Sequence, residues 1–140
     1  MDQEVAAKIA ELKKLLQEKE NELEIYRGDY AILVDQENEI VQLMVVCENT
    51  DYLTKCLSSS TKNMQEKINT DTIPGFENLA NFDNVDDYNS QIININNDYL
   101  TNLKDTCTII DQKKQEVAEK IDNLKIEITN IEIQLSVLGG

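Results

Sequence analysis

Two apolar stripes, one towards each end of the chain, set its plan. The C-terminal stripe is Ile121, Leu124, Ile128, Ile131, Leu135 and Leu138, in alternating steps of three and four. That is the a/d rhythm of a helix lying along another helix. Traced backwards it takes in Val117, Lys114, Ile110, Cys107, Leu103 and Tyr99, and before them Ile95, Ile92 and Tyr88. The N-terminal stripe runs Val5, Ile9, Leu12, Leu16, Lys19, Leu23, and on through Tyr26, Tyr30, Leu33, Glu37, Ile40, Met44 and Cys47. Only Lys19 and Glu37 carry charge in it. A helix over about residues 3–47 would be roughly 65 Å long at about 1.5 Å per residue, and a helix of that length needs a partner along it.

The pattern predicts an opening helix (about 3–47), a middle segment (about 50–83) and a closing helix (about 85–138). Asp2 is placed to cap the first, with Glu4 in its first turn. Asn84 precedes Val85-Asp86-Asp87 and reads as the cap of the last. Gly139-Gly140 is a C-terminal stop. Between Ile40 and Cys47 almost no polar face remains, so this turn is expected to be buried all round. Tyr52 or Leu53, Leu57, Ser60, Met64 and Ile68 keep a helical spacing, either as a separate short helix or as more of the first. Thr72-Ile73-Pro74-Gly75 is the break, because proline disfavours helical angles at the residue before it. Phe76, Leu79, Ala80 and Phe82 are expected to tuck over the end. Leu124-Ile126-Ile128 also alternates as a strand would, but Asn130 interrupts that alternation and leaves the three-four stripe untouched. Gly28 costs about 1 kcal/mol in a helix interior relative to Ala; it marks a kink, a close contact or simple tolerance.

The predicted fold is therefore all-α: one domain, a long antiparallel helical hairpin, coiled-coil-like, with the shorter helical middle segment packed at one end. Placing Val5 opposite Leu138 puts Leu33 across from Ile110 and Lys114 beside Asp29. A lysine in a seam calls for such a carboxylate. Outside the seam, Leu15, Ile25 and Ile32 on the opening helix and Ile126, Ile133 and Val137 on the closing helix form second apolar rows. Contiguous exposed apolar surface marks a partner site, and these six are the candidate partner-binding residues; the alternative is that they pack against the middle segment of the same chain.

Composition narrows the function. The net charge of −14 over 140 residues argues against nucleic acid, whose phosphates need a basic patch. No apolar run approaches a membrane span, and Met1-Asp2-Gln3-Glu4 does not open a signal peptide. Cys47, Cys56 and Cys107 have apolar neighbours and read as small buried hydrophobes in a reducing compartment. With no His in the chain, Ser-His and Cys-His pairs cannot form, and no phosphate loop or HExxH stretch is present. Asp83, Asp86 and Asp87 fit a helix start better than a calcium loop. No catalytic residue, cofactor or metal ligand is expected.

The opening AAKIAELKKLLQEKENEL (6–23), the closing KIDNLKIEITNIEIQL (120–135), the length and the polar middle resemble the YwqH-like small helical proteins associated with LXG toxins of type VII secretion systems. Relatives there often carry a Trp-X-Gly turn; this chain has no Trp, and IPGF (73–76) stands in its place. Phe82 to Asp86 is similar to an FxxxD element of toxin-associated partners, but it precedes the last helix, so no export role comes with it. The resemblance implies a cytoplasmic, non-catalytic chaperone, exported or not with its client, that binds the helical N-terminal domain of an LXG toxin, with or without a second small helical protein. The alternative is a self-associating structural coiled coil with no client.

Overall fold

The computed structural model describes the backbone of residues 2–70 and 82–140. Two helices account for nearly all of it, α1 (Gln3–Thr70) and α2 (Phe82–Leu138), and there is no strand among the described residues. The all-α helical hairpin is thus the observed architecture. Residues 48–70 continue the first helix and form no separate one. Tyr52, Leu53 and Leu57 therefore cannot fold back over the apolar turn at 40–47. The break around Pro74, the cover expected from Ile73, Phe76, Leu79, Ala80 and Phe82, and the placing of the Asp83 side chain lie outside the described residues.

The first turn of α1 and the last turn of α2, which meet at the same end of the hairpin, are both capped by the chain itself. Asp2 Oδ1 accepts the Glu4 backbone N–H at 3.2 Å, and the Asp2 carbonyl accepts the Ala6 N–H at 3.0 Å. At the other terminus Gly139 takes φ of 79°. There the Gly140 N–H reaches the Leu135 carbonyl at 2.9 Å, and the Gly139 N–H reaches that of Ser136 at 3.2 Å. These two bonds make a Schellman cap, for which glycine supplies the left-handed residue. A Cβ on Gly140 would stand 2.8 Å from Ile9 Cγ2, so the cap packs directly on α1. Asn84 caps nothing: α2 already begins at Phe82 and Asn84 is an exposed residue within it. Gly28 has open space where its side chain would be, so no close contact calls for a glycine there.

The chain divides into two compact units, residues 1–38 with 108–140, and residues 39–107. In the first, the seam is the one the sequence pattern gives. Ile9, Leu12, Ile131 and Leu135 form a buried cluster flanked by Val5, Leu16 and Leu138, and Leu23, Ile110, Val117 and Leu124 are also buried. Lys19 pairs with Glu127 and Lys114 with Glu37. As one number rises the other falls, so the helices run antiparallel.

Lys114 does not pair with Asp29. Its Nζ donates to Glu37 Oε2 at 2.8 Å, with the Tyr30 ring 5.7 Å away. The reason is the heptad. Glu37 occupies a half-buried seam position, whereas Asp29 is exposed on the flank. A lysine stem is long enough to lie beside Tyr30 and carry its head along to the seam carboxylate.

The second unit departs from the pattern. Counting strictly in threes and fours from Cys47, the inward positions of α1 are Asp51, Thr54, Ser58, Thr61 and Gln65, and each is buried or half-buried. On α2 they are Asp86, Asn89, Ile93, Asn96, Leu100 and Leu103. Tyr99 is 48% exposed and Ile95 68%, so neither belongs to the seam. Val41, Leu43, Val45 and Val46 are likewise exposed, and in the turn at 40–47 only Cys47 is buried, with Ile40 and Met44 half-buried. Of the cysteines, Cys47 is buried and Cys107 half-buried, but Cys56 is exposed.

Candidate protein-binding face

In the second unit polar side chains share the inward positions with Cys47, Ile93, Leu100 and Leu103, while many large apolar ones stand outwards. Thr54 and Asn89 are buried at 5% and 8% exposure. Thr54 Oγ1 donates to the Thr50 carbonyl at 2.7 Å, and Asn96 Nδ2 crosses the seam to the Cys47 carbonyl at 2.7 Å. Asp51 Oδ1, Asp86 Oδ1 and Asn89 Nδ2 are buried without a hydrogen-bond partner among the described residues. Each such atom costs about 1–3 kcal/mol.

Most of the apolar residues displaced from this seam share one side; Val41, Val45 and Tyr52 stand exposed on the other. On α1 Leu43, Val46, Leu53, Leu57 and Met64 are all exposed. On α2 so are Val85, Tyr88, Ile92, Ile95 and Tyr99. Every one of the ten lies one residue before a seam position, at g or c of the heptad whose a and d positions form the seam. One residue back is a turn of about 100° around a helix of 3.6 residues per turn. On two antiparallel helices that face each other, the same backward turn carries both rows to the same side of the pair; on parallel helices it would carry them to opposite sides. The two rows thus share one face. At the level set by the Asn96–Cys47 bond, Leu53 lies across from the turn holding Ile92, and Leu57 across from the turn holding Tyr88.

This face carries no formal charge. Among its fourteen g and c positions, from Leu43 to Met64 and from Val85 to Thr106, the rest are Thr50, Ser60, Asn102 and Thr106. The opposite side of the same unit bears Glu48, Lys55, Lys62, Glu66, Asp87 and Lys104 at its e and b positions. An uncharged apolar strip on one side of an otherwise charged helix pair has the make-up of the core of an interface.

The six residues singled out from sequence all belong to the first unit, and all are exposed, from Leu15 at 37% to Val137 at 80%. The fold does not bring them to one place. Leu15, Ile25 and Ile32 lie at g or c positions of α1, whereas Ile126 and Ile133 lie at f positions, directly away from the seam on α2. Ile133 and Val137 line a surface groove with Lys8, Gln134 and Leu138. Sequence pattern conceals the ten residues of the second unit because seven of them, Leu53, Leu57, Met64, Tyr88, Ile92, Ile95 and Tyr99, themselves keep a helical spacing that continues the seam or suits a covering segment. A signal was present: stepping from Cys107 to Leu103 to Tyr99 takes two fours in succession, and strict alternation gives Leu100 instead.

Ion pairs occur in both units, Lys55 with Asp51 at 2.8 Å in the second, and the shifted titrations lie in the seam of the first. A hydrogen bond from Lys114 holds the Glu37 carboxyl below its ordinary value of 4.5, against the opposing effect of desolvation. The same bond to Glu37 raises Lys114 above 10.5, and a bond to Glu127 raises Lys19. Lys120 sits over the Tyr26 ring at 5.3 Å. These contacts align the two helices of the first unit. Among the described residues no three of His, Cys, Asp and Glu are grouped to hold a metal ion, and no helix is long and apolar enough to cross a membrane. The class defined by this geometry is a helical hairpin with an outward apolar face. Comparison with family models, curated proteins and solved structures gives no match for this chain.

Proposed function

We propose that this protein is a non-catalytic helical partner protein whose uncharged face, Leu43–Met64 with Val85–Thr106, receives helices of a protein client. The observation that carries the reading is the inverted packing of the second unit. Unpartnered polar atoms stay inside while ten large apolar side chains stand outside in heptad order. Water is a poor environment for so large an apolar area, and a client helix laid along the face removes it from water by the helix-in-groove mode.

The client suggested by the resemblance of residues 6–23 and 120–135 is the helical N-terminal domain of an LXG toxin, with the chain acting as its chaperone for type VII secretion. The test is co-expression with an LXG domain encoded beside this chain, followed by affinity capture and size-exclusion chromatography. A complex of fixed stoichiometry is expected, lost on Leu53→Asp with Ile95→Asp. Retention of the complex by that variant, with loss on Asp substitution at Ile126, Ile133 and Val137, would move the client site to the first unit. No complex with wild-type chain refutes the chaperone reading.

A further inference from the structure

We infer that, without a client, the uncharged face of the second unit closes on a second copy of the same chain, making a two-fold symmetric dimer in which residues 43–64 and 85–106 of each copy form a local four-helix bundle. The inference goes beyond the proposed function and shares with it only the premise that this face binds protein.

Three observations support a second copy as the occupant. The first is area. The ten apolar side chains are between 41% and 68% exposed, which at about 100 Å² each amounts to on the order of 1,000 Å², above the roughly 800 Å² that each partner contributes to a standard interface. The second is charge. Two chains of −14 repel, so their stable contact has to exclude formal charge from its centre. The fourteen positions of this face contain none, while the opposite side of the same unit contains six charged residues. The third is self-matching. The face consists of two apolar rows of equal size, five residues on α1 and five on α2, which overlap in level from Leu43 to Leu57, with Met64 beyond the end of the α2 row. A two-fold axis through its centre therefore sets apolar row against apolar row whichever pair of helices meets. Closed two-fold contacts of this isologous kind are the commonest oligomeric arrangement. Tyr88 and Tyr99, each with an apolar ring and a polar tip, suit a contact whose edges stay wet.

The experiment is sedimentation equilibrium of the full chain between about 1 and 100 µM, with far-UV circular dichroism to follow helix content. Wild type is expected to be a dimer. Leu53→Asp with Ile95→Asp is expected to be monomeric and still helical. Should that variant fail to fold, Ser60→Glu with Asn102→Glu gives the answer, since both positions are already polar and exposed and only an apposed copy would oppose the new charges. Those two changes are expected to raise the dimer dissociation constant at least about tenfold. A monomeric wild type at the highest concentration overturns the inference, as does a dimer that both pairs of substitutions leave unchanged. The client assay is read separately. A monomer that captures the LXG domain overturns the dimer alone, and a dimer that captures none overturns the chaperone reading alone.

Discussion

Asn89→Leu provides the sharpest check on the inverted seam. Asn89 is 8% exposed, and its Nδ2 lacks a partner among the described residues. Asn and Leu side chains have the same number of heavy atoms and the same branch point, so the skeleton is kept, although two methyl groups are bulkier than an amide and add some strain. It removes a buried unsatisfied donor, worth about 1–3 kcal/mol. It also places an apolar group where burial gains about 1.5–3 kcal/mol over exposure, and it improves helix propensity by a few tenths of a kcal/mol. Imperfect fit at a site shaped for a planar amide offsets part of this. A net stabilisation of about 2 kcal/mol is expected, which at about 4 °C per kcal/mol for a chain of this size raises Tm by about 8 °C. Asn97→Leu is the control. Asn97 is exposed, so the same change of residue and propensity there should stay within about 0.5 kcal/mol. Melting is followed at 222 nm at one fixed protein concentration, because association makes Tm concentration-dependent. Equal shifts in the two variants, or no rise in Asn89→Leu, would refute the polar seam and return Tyr88, Ile92, Ile95 and Tyr99 to the interior.

Two further outcomes follow from the first unit. In a double-mutant cycle, Lys114→Met and Glu37→Gln should show a non-zero coupling energy, and Lys114→Met with Asp29→Leu should be additive. The same pair sets a pH dependence. Glu37 titrates below its ordinary 4.5 in the folded chain, so its contribution is full above 4.5 and is lost as pH falls through the folded value. Lys114 is raised above 10.5, so its contribution is full below 10.5 and is lost as pH rises through the folded value. Both side chains are solvent-accessible and screened, so the effect is small; Glu37→Gln should flatten the acid limb of Tm against pH. Gly28→Ala should stabilise the chain by about 1 kcal/mol in urea unfolding, because the position is helical and open; destabilisation there would reveal a close contact.

The sequence by itself determined the helices and one half of their pairing. From Val5 to Glu37, and from Ile110 to Leu138, apolar residues hold one heptad phase, so burial and backbone geometry agree and the seam can be read directly. The Asp2 cap and the Gly139 stop were equally legible, because capping is local chemistry. The tertiary structure decided what happens between residues 39 and 107. There the apolar pattern slips one residue ahead of the seam on both helices, a rotation of about 100° that a supercoil cannot absorb as it does an insertion of three or four residues. α1 runs unbroken from Gln3 to Thr70 and α2 from Phe82 to Leu138, and an unbroken helix keeps its turn angle from residue to residue. Continuity of the helix therefore outweighs local hydrophobicity: Thr54 and Asn89 go inside, and Leu53 and Ile95 go out. Sequence pattern alone ranks those four residues the other way, since it records which side chains prefer burial and carries no account of the phase imposed by turns far along the same helix.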